Sequence, residues 1–192
     1  AVVTVNTGDF SAESGYFHAE NSTLRFTGSG EQRLVYPEPS TFHVIENAKS
    51  GGELLFRDHH TVNIGALILS PGTATKLNRG RTNVENITFS GQTGSLVSVM
   101  CVAADQPAPL NLTGTQSAVY THFQNVDASP GLTVDATNHC TDGGANTNIY
   151  FGGEAPELIG VGGADGGVTY EFEISITELT AGRYAAFLNA AD

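Results

Sequence analysis

The feature that most constrains this chain is a series of short apolar runs separated by turn-forming residues. The runs recur at intervals of roughly ten residues, and the gaps hold segments such as TGSGEQ, NAKSGGE and SPGTAT. The runs begin at Val2, Leu24, Leu34, Phe42, Leu54, Val62, Leu67, Val84, Leu96, Leu110, Val119, Leu132 and Ile149. Alternation of apolar and polar residues inside them predicts strands with one buried face, and no stretch of about ten residues has helical periodicity.

Composition also favours an all-β chain. Hydrophobic residues make up 40% of the 192, with no Trp and one Met, so the core must come from Val, Ile, Leu, Phe and Tyr. These residues favour strands, and the 23 glycines supply tight turns between them. The length suits one large domain, or one domain with a small appendage.

Many short, evenly spaced strands fit a sandwich, a barrel or a solenoid. Antiparallel sheets usually rely on hairpin dipeptides, but the chain has no Asn-Gly pair, and its Asp-Gly pairs fall late, at Asp142 and Asp165. The connectors are Ser-Gly, Thr-Gly and Pro-Gly, which suit bends between the faces of a coil. We therefore predict a short parallel β-solenoid (β-helix) over residues 1–152, with a β-sandwich as the runner-up.

The composition changes after Phe151. The segment GGEAPELIGVGGADGG is Gly-rich and is typical of a linker or an irregular cap, and VTYEFEISITEL then alternates cleanly. We predict that residues 153–192 are a Gly-rich linker followed by a C-terminal β-strand or cap segment. Two roles are open for that strand: it caps the solenoid, or it is exchanged with a neighbouring subunit.

Charge excludes some partners. The formal net charge is −12, with 8 Lys plus Arg, and nucleic-acid binding needs clustered basic residues. The one local basic cluster, Lys76, Arg79 and Arg81, has no interleaved aromatic residue, which favours a solvated turn. No run approaches the roughly 18 apolar residues of a membrane span, so we predict no membrane insertion. The start, AVVTVNTGDF, fits either removal of an initiator Met or cleavage of a signal peptide.

The two cysteines allow one disulfide or two free thiols. Cys101 lies in the apolar run LVSVMCV and is predicted to be buried, whereas Cys140 follows a turn-like Asn-His pair. A chain of this length can form a core without a disulfide. Free thiols are therefore the favoured prediction, and the bridge is the alternative.

Histidines provide no strong metal signature. In the segment RDHH, His59 and His60 follow Asp58, and adjacent residues of a strand face opposite ways. A second set is His122, His139, Cys140 and Asp142. Its spacing matches no zinc pattern, so we predict no zinc site.

Two segments contain oxygen-bearing side chains of the kind that bind calcium. The run TDGGANTN from Thr141, with Asp127 and Asp135 before it, has suitable side chains but not the ligand order of an EF-hand. The segment GVGGADGG from Gly160 resembles one copy of a calcium nonapeptide, which works by repetition. Turn formation explains both, and we predict no metal ligands and no cofactor.

Enzymatic motifs are also missing from the sequence. It contains no GxSxG and no phosphate-binding loop, and its strands carry Thr, Ser and Asn on their polar faces. Two carboxylates that cleave glycans could still meet in a cleft. We nevertheless predict a non-enzymatic protein without catalytic residues.

Two stretches resemble a known repeat. Residues 21–69, including STLRFTGSGEQRLVY and TFHVIENAKSGGELLF, and residues 95–151, including LNLTGTQSAVYTHFQNVDAS and TDGGANTNIYF, resemble the degenerate β-helix repeats of bacterial surface proteins and phage structural proteins. Ile149 stands where those repeats usually have Trp, and the chain is shorter than most carriers of the repeat.

The resemblance implies a structural virion protein, a capsid decoration or short fibre of a tailed phage, located in the virion. It also implies other virion proteins as partners and a homo-oligomer, with a trimer as the expectation. The alternative is a secreted bacterial surface or adhesin module. A further alternative is a carbohydrate-binding or carbohydrate-cleaving domain, in which exposed aromatic rings stack on a glycan. The candidates for stacking are Tyr16, Phe17, Tyr36 and Tyr120.

Overall fold

A computed structural model describes residues 1–12, 21–38, 40–114 and 116–152. The chain divides into two compact units, Ala1–Phe151 and Gly152–Asp192. The linker and strand predicted for residues 153–192, the segment from Gly160, and the aromatic candidates Tyr16 and Phe17 all lie outside the described residues.

The first unit consists of short strands joined by turns. The described strands are β1 (Val2–Val5), β2 (Phe10–Ser11), β3 (Thr23–Phe26), β4 (Gln32–Val35), β5 (Ser40–Asn47), β6 (Glu53–Phe56), β7 (Thr61–Leu69), β8 (Ala74–Leu77), β9 (Arg81–Phe89), β10 (Val97–Cys101), β11 (Ala108–Leu112), β12 (Ser117–Val119), β13 (Thr121–Gln124), β14 (Val126–Asp127), β15 (Val134–Asn138), β16 (Thr141–Asp142) and β17 (Ile149–Tyr150). The described residues contain no helix.

Successive strands alternate between sheets, which produces a coil. The first sheet has the order β1-β3-β5-β7-β9-β11-β14, and the second has the order β16-β13-β10-β8-β6-β4-β2. A third sheet, β12-β15-β17, adds another side to the last turns. All pairings between these strands are parallel. The prediction of a parallel β-solenoid is confirmed, with about 6 turns, and the sandwich is wrong.

Residues one turn apart in sequence lie side by side. The spacing is 21 residues between Arg25 and Glu46, 20 between Asn63 and Asn83, and 28 between Asn83 and Asn111. Connections of this length are required because parallel neighbours cannot be joined by a tight hairpin.

Alternate side chains fill the inside of the coil. In β7, for example, Val62, Ile64, Leu67 and Leu69 are buried, and the residues between them are more exposed. The register stacks these positions from turn to turn into columns. One of them, here called the central column, contains Val3, Leu24, Ile45, Leu67 and Ile87.

The strand register also determines whether the two cysteines can form a disulfide. Both thiols are free, Cys101 being buried as predicted and Cys140 partly buried. Cys140 lies beside Thr121, whose partner in β10 is Val97. Cys101 comes four residues after Val97 in the same strand, a distance of about 13 Å. A disulfide needs Cα atoms within about 7 Å, so this register excludes the bridge.

Candidate functional site

The outer face of the second sheet carries an unusual share of the chain's positive charge. Alternation in β4 and β6 buries Leu34 and Phe56 and directs Arg33 and Leu55 outward. Four of the chain's eight basic residues lie on this face or at its edge. They are Arg33, Arg57, Lys76 and Arg79.

A concave site of about 450 Å³ opens on this face, and we call it the arginine groove. Three guanidinium groups and one carboxylate lie around it, over a floor of apolar side chains. Its lining residues are Arg33, Val35, Leu55, Phe56, Arg57, Asp58, Arg79, Val102 and Ala103.

Arg79 is neutralised by Asp58, which lies one turn before it. Arg79 Nε donates to both oxygens of the Asp58 carboxylate, at 3.2 and 2.9 Å, Nη2 donates to Oδ2, and the Arg79 backbone N–H donates to Oδ1 at 3.0 Å. These hydrogen bonds from Arg79 lower the pKa of Asp58 to about 2. The pair therefore holds two adjacent turns together but adds no net charge.

Arg57 has no such partner. Its Nη1 donates to the backbone oxygen of Tyr36 at 3.2 Å, and it forms no ion pair within the described part of the chain. Arg33 pairs with Glu31 at 3.0 Å, but these side chains are 59% and 50% exposed, so the pair is weak. Asp105 also acts electrostatically on Arg79, so the guanidinium group of the groove that has no carboxylate partner among the described residues is that of Arg57.

Polar residues are also buried behind the groove. The Tyr36 hydroxyl accepts a hydrogen bond from Asn78 Nδ2 at 2.9 Å and donates to the backbone oxygen of Arg57 at 3.4 Å. Burial raises the pKa of Tyr36 well above its ordinary value. Three buried atoms, His60 Nδ1, Asn78 Oδ1 and Thr82 Oγ1, have no hydrogen-bond partner among the described residues.

Another groove, of about 520 Å³, follows the outer face of the first sheet. Asn83 donates to Asn63 at 2.8 Å, and Asn111 donates to Asn83 at 2.9 Å. These three amides form a ladder across successive turns. Apart from Glu85 the lining is uncharged, so this groove has no comparable electrostatic preference.

The histidines of RDHH point in different directions. His59 is exposed and has a left-handed backbone (φ 61°), whereas His60 packs edge-on against Tyr36 with ring centroids 6.1 Å apart. The segment therefore turns the corner between β6 and β7, and its two imidazoles do not share a site.

The second set of candidate ligands is used in contacts between turns. His122 Nδ1 lies 2.9 Å from Thr141 Oγ1, and His139 stacks on Tyr120 with centroids 4.6 Å apart. Cys140 Sγ accepts the Thr121 N–H at 3.4 Å. Within the described residues, no group of three or more His, Cys, Asp and Glu side chains is arranged to hold a metal ion.

The run TDGGANTN closes the last described turn. Asp142 Oδ1 accepts the Gly144 N–H and Asn146 Nδ2, at 2.8 and 2.6 Å. Asn146 also bonds to the preceding turn, donating to the Phe123 oxygen and accepting the Val126 N–H. Asp127 and Asp135 likewise accept backbone N–H groups two residues ahead. The oxygens considered as calcium ligands are thus used to cap backbone.

Two of the aromatic candidates for glycan stacking are also placed. Tyr36 is completely buried, so the expectation that it could stack on a sugar is wrong: it comes two residues after buried Leu34 and continues the inward side of the alternation in β4. Tyr120 is partly exposed, but the His139 ring already stacks on it.

The cluster of basic residues visible in the sequence does not correspond to the arginine groove. Within the predicted cluster, Lys76 pairs with Glu53 at 2.7 Å, Arg79 pairs with Asp58, and Arg81 lies in the first sheet. The useful signal is the recurrence of Arg33, Arg57 and Arg79 after 24 and then 22 residues, close to one turn each. That signal has meaning only once the length of a turn is known.

Comparisons with known proteins identify no similar protein. No protein-family profile matches the chain, and searches of curated proteins and of solved structures find no match either. In the part of the chain that the structure describes, no helix has the length and apolar character needed to cross a membrane. The class of the protein is therefore defined by its fold, an all-β parallel solenoid.

Proposed function

We propose that this protein is a structural, non-enzymatic component of a virion, either a capsid decoration protein or a short fibre of a tailed phage. The observation that carries the proposal is the continuity of the coil. Two seven-stranded parallel sheets run through the described unit, and columns such as the central column fill its interior. A coil of this kind offers extended outer faces on a stiff backbone, which suits assembly.

Side chains reinforce that backbone from the outside. Arg25 pairs with Glu46, Lys76 with Glu53 and Arg79 with Asp58, and each pair joins neighbouring turns. The resemblance of residues 21–151 to repeats of phage structural proteins supports the choice of a virion among possible assemblies. A homotrimer is the expected oligomer, by analogy with the symmetry of phage fibres and decorations.

Fractionation tests the proposal. Particles purified from the source culture are compared with the cell envelope by quantitative mass spectrometry, and antibody labelling in the electron microscope locates the chain. We expect a constant copy number per particle. Presence only in host cell walls would contradict the proposal and favour the secreted surface or adhesin alternative, which a signal peptide in the precursor gene would also support.

The solution mass tests the oligomer separately. Light scattering after size exclusion should give three times the chain mass of 20.1 kDa. A monomer at all concentrations would exclude the trimer but would remain compatible with a decoration that binds its shell one copy at a time.

A further inference from the structure

We propose that the arginine groove docks a short acidic and apolar peptide segment of a partner protein, with a carboxylate of that segment bound by Arg57. This inference deepens the proposed structural function, on which it rests, by naming the surface and chemistry of one assembly contact. The partner side chains are Glu or Asp alternating with aliphatic residues.

Charge is the first argument. In a chain with a net charge of −12 and only 8 basic residues, three arginines line one groove with a single carboxylate among them. Asp58 and the more distant Asp105 act on Arg79, and Glu31 pairs with Arg33, so the guanidinium group without a carboxylate partner among the described residues is that of Arg57. An acidic chain attracts few acidic partners by its overall field, and such a local patch would select where one binds.

The state of Arg57 is the second argument. A guanidinium group has five N–H donors, and Arg57 uses Nη1 to bind the Tyr36 oxygen. That bond joins Arg57 to the neighbouring turn and limits its freedom before a ligand arrives. The remaining donors match the two oxygens of a carboxylate, which arginine binds in a bidentate manner.

The floor of the groove decides between kinds of anion. Val35, Leu55, Val102 and Ala103 are partly exposed and line the groove together with the arginines. Inorganic phosphate or a nucleic-acid backbone would leave this apolar surface unused. A peptide that alternates acidic and aliphatic side chains would cover it and bind the guanidinium groups together.

The size of the groove suits a peptide of a few residues. Its lining residues come from β4 and β6 and from the segments that follow β6, β8 and β10, four successive turns of the second sheet. Three strand spacings of about 4.8 Å give a length near 14 Å, which is about four residues of extended chain.

The test uses the full chain and a synthetic probe, acetyl-Glu-Val-Glu-Val-amide, titrated in low salt and followed by NMR. We expect saturable shifts of the Arg57 and Arg33 side-chain signals and of the Leu55 amide. The matched peptide acetyl-Gln-Val-Gln-Val-amide should bind at least about tenfold more weakly, because it has no carboxylate. Raising the salt concentration should weaken only the acidic peptide.

Variants locate the site. Arg57→Gln should reduce the affinity at least about tenfold, Arg57→Lys should reduce it less, and Leu55→Glu should abolish binding by placing a carboxylate on the floor. Arg25→Gln is the matched control, because Arg25 lies on the first sheet and pairs with Glu46. Circular dichroism identifies any variant that fails to fold, and Leu55→Glu then provides an independent second test.

Three outcomes would overturn the inference. They are no binding of the acidic peptide at millimolar concentration, equal binding by Arg57→Gln, and binding of glutarate or phosphate as tight as that of the peptide, which would indicate a simple anion site. Fractionation separates this failure from that of the proposed function. If the chain is found in particles but its groove does not bind the acidic peptide, only the docking inference is refuted. If the groove binds the peptide but the chain is absent from particles, only the virion role is refuted.

Discussion

The two ends of the described coil are built differently. At the first turn, Val2 and Val3 are 58% and 47% exposed, and β1 has a sheet partner on one side only among the described strands. The Ala1 oxygen accepts the N–H of Thr23 in β3 and the Val5 oxygen accepts the N–H of Thr27 just after it, so the backbone groups of Val2 and Thr4 face away from β3. At the last turn, side chains accept backbone N–H groups: Asp142 accepts that of Gly144, and Asn146 accepts that of Val126.

This difference shows that a coil can be ended in two ways. Side-chain amides and carboxylates can bind backbone groups in place of a further strand, as they do around Asn146. Such an end offers few backbone hydrogen-bonding groups to another strand. The edge at β1 instead has exposed valines and backbone groups that no other described strand pairs with, so it offers pairing positions to another strand.

The central column allows the middle and the open end to be compared directly. Leu67 is 1% exposed and has a column neighbour on each side, so Leu67→Ala should lower the free energy of unfolding by about 3 kcal/mol. Val3→Ala, at the open end of the same column, should cost less than about 1 kcal/mol. Urea unfolding measures both. Similar losses would mean that the first turn is packed as tightly as the middle.

The cap is tested by the same substitution at both ends. Asn146→Ala removes hydrogen bonds to Phe123, Val126 and Asp142 and should cost about 2 kcal/mol. Asn6→Ala removes only an exposed bond, in which Asn6 accepts from Thr27 at 3.1 Å, and should cost less than about 0.5 kcal/mol. Thermal unfolding of the two variants compares the ends. Equal shifts in Tm would contradict the assignment of Asn146 as a cap.

Acid should weaken the middle of the coil through Asp58. Since folding lowers the pKa of Asp58 from 3.8 to about 2, its contribution is complete above pH 4 and is lost as the pH falls towards 2. Allowing for partial exposure, we expect about 1 kcal/mol. Asp58→Asn should be less stable than the parent at pH 6 and nearly equal to it at pH 2. A constant difference across this range would disprove the role of the Asp58 charge.

Replacing each of two buried threonines with valine should change the free energy of unfolding in opposite directions. Thr82 Oγ1 lacks a hydrogen-bond partner among the described residues, so Thr82→Val should raise the free energy of unfolding by about 0.5 kcal/mol. Thr121 Oγ1 donates to the Val119 oxygen at 2.9 Å, so Thr121→Val should lower it by a similar amount. Differential scanning calorimetry can resolve the two. A loss at Thr82 would indicate a water molecule bound inside the coil.

The fold was predictable because its signals are local. Pro71-Gly72 is one of the connectors that favoured a coil, and Gly72 indeed turns the corner after β7 with a positive φ of 74°. The prediction of buried Cys101 followed in the same way from its place in the apolar run LVSVMCV. Both inferences need only a few neighbouring residues.

The candidate site was not predictable because it depends on register. Nothing near Arg57 indicates that it lies in one groove with Arg33 and Arg79, since that depends on the lengths of two whole turns. The burial of Tyr36, by contrast, was predictable, because this residue continues the alternation that buries Gln32 and Leu34.

The stacked register also determines how the coil would yield to force. Bonds between turns, such as those of the asparagine ladder, run along the axis, whereas the covalent chain runs around it. A pull on one end would peel the turns away one after another, and each would release 20 to 28 residues. At roughly 3.5 Å for each extended residue, that is about 7 to 10 nm per step. A force applied perpendicular to the axis would act on the covalent chain within each turn. The described unit should therefore resist force perpendicular to the axis more strongly than force that separates successive turns.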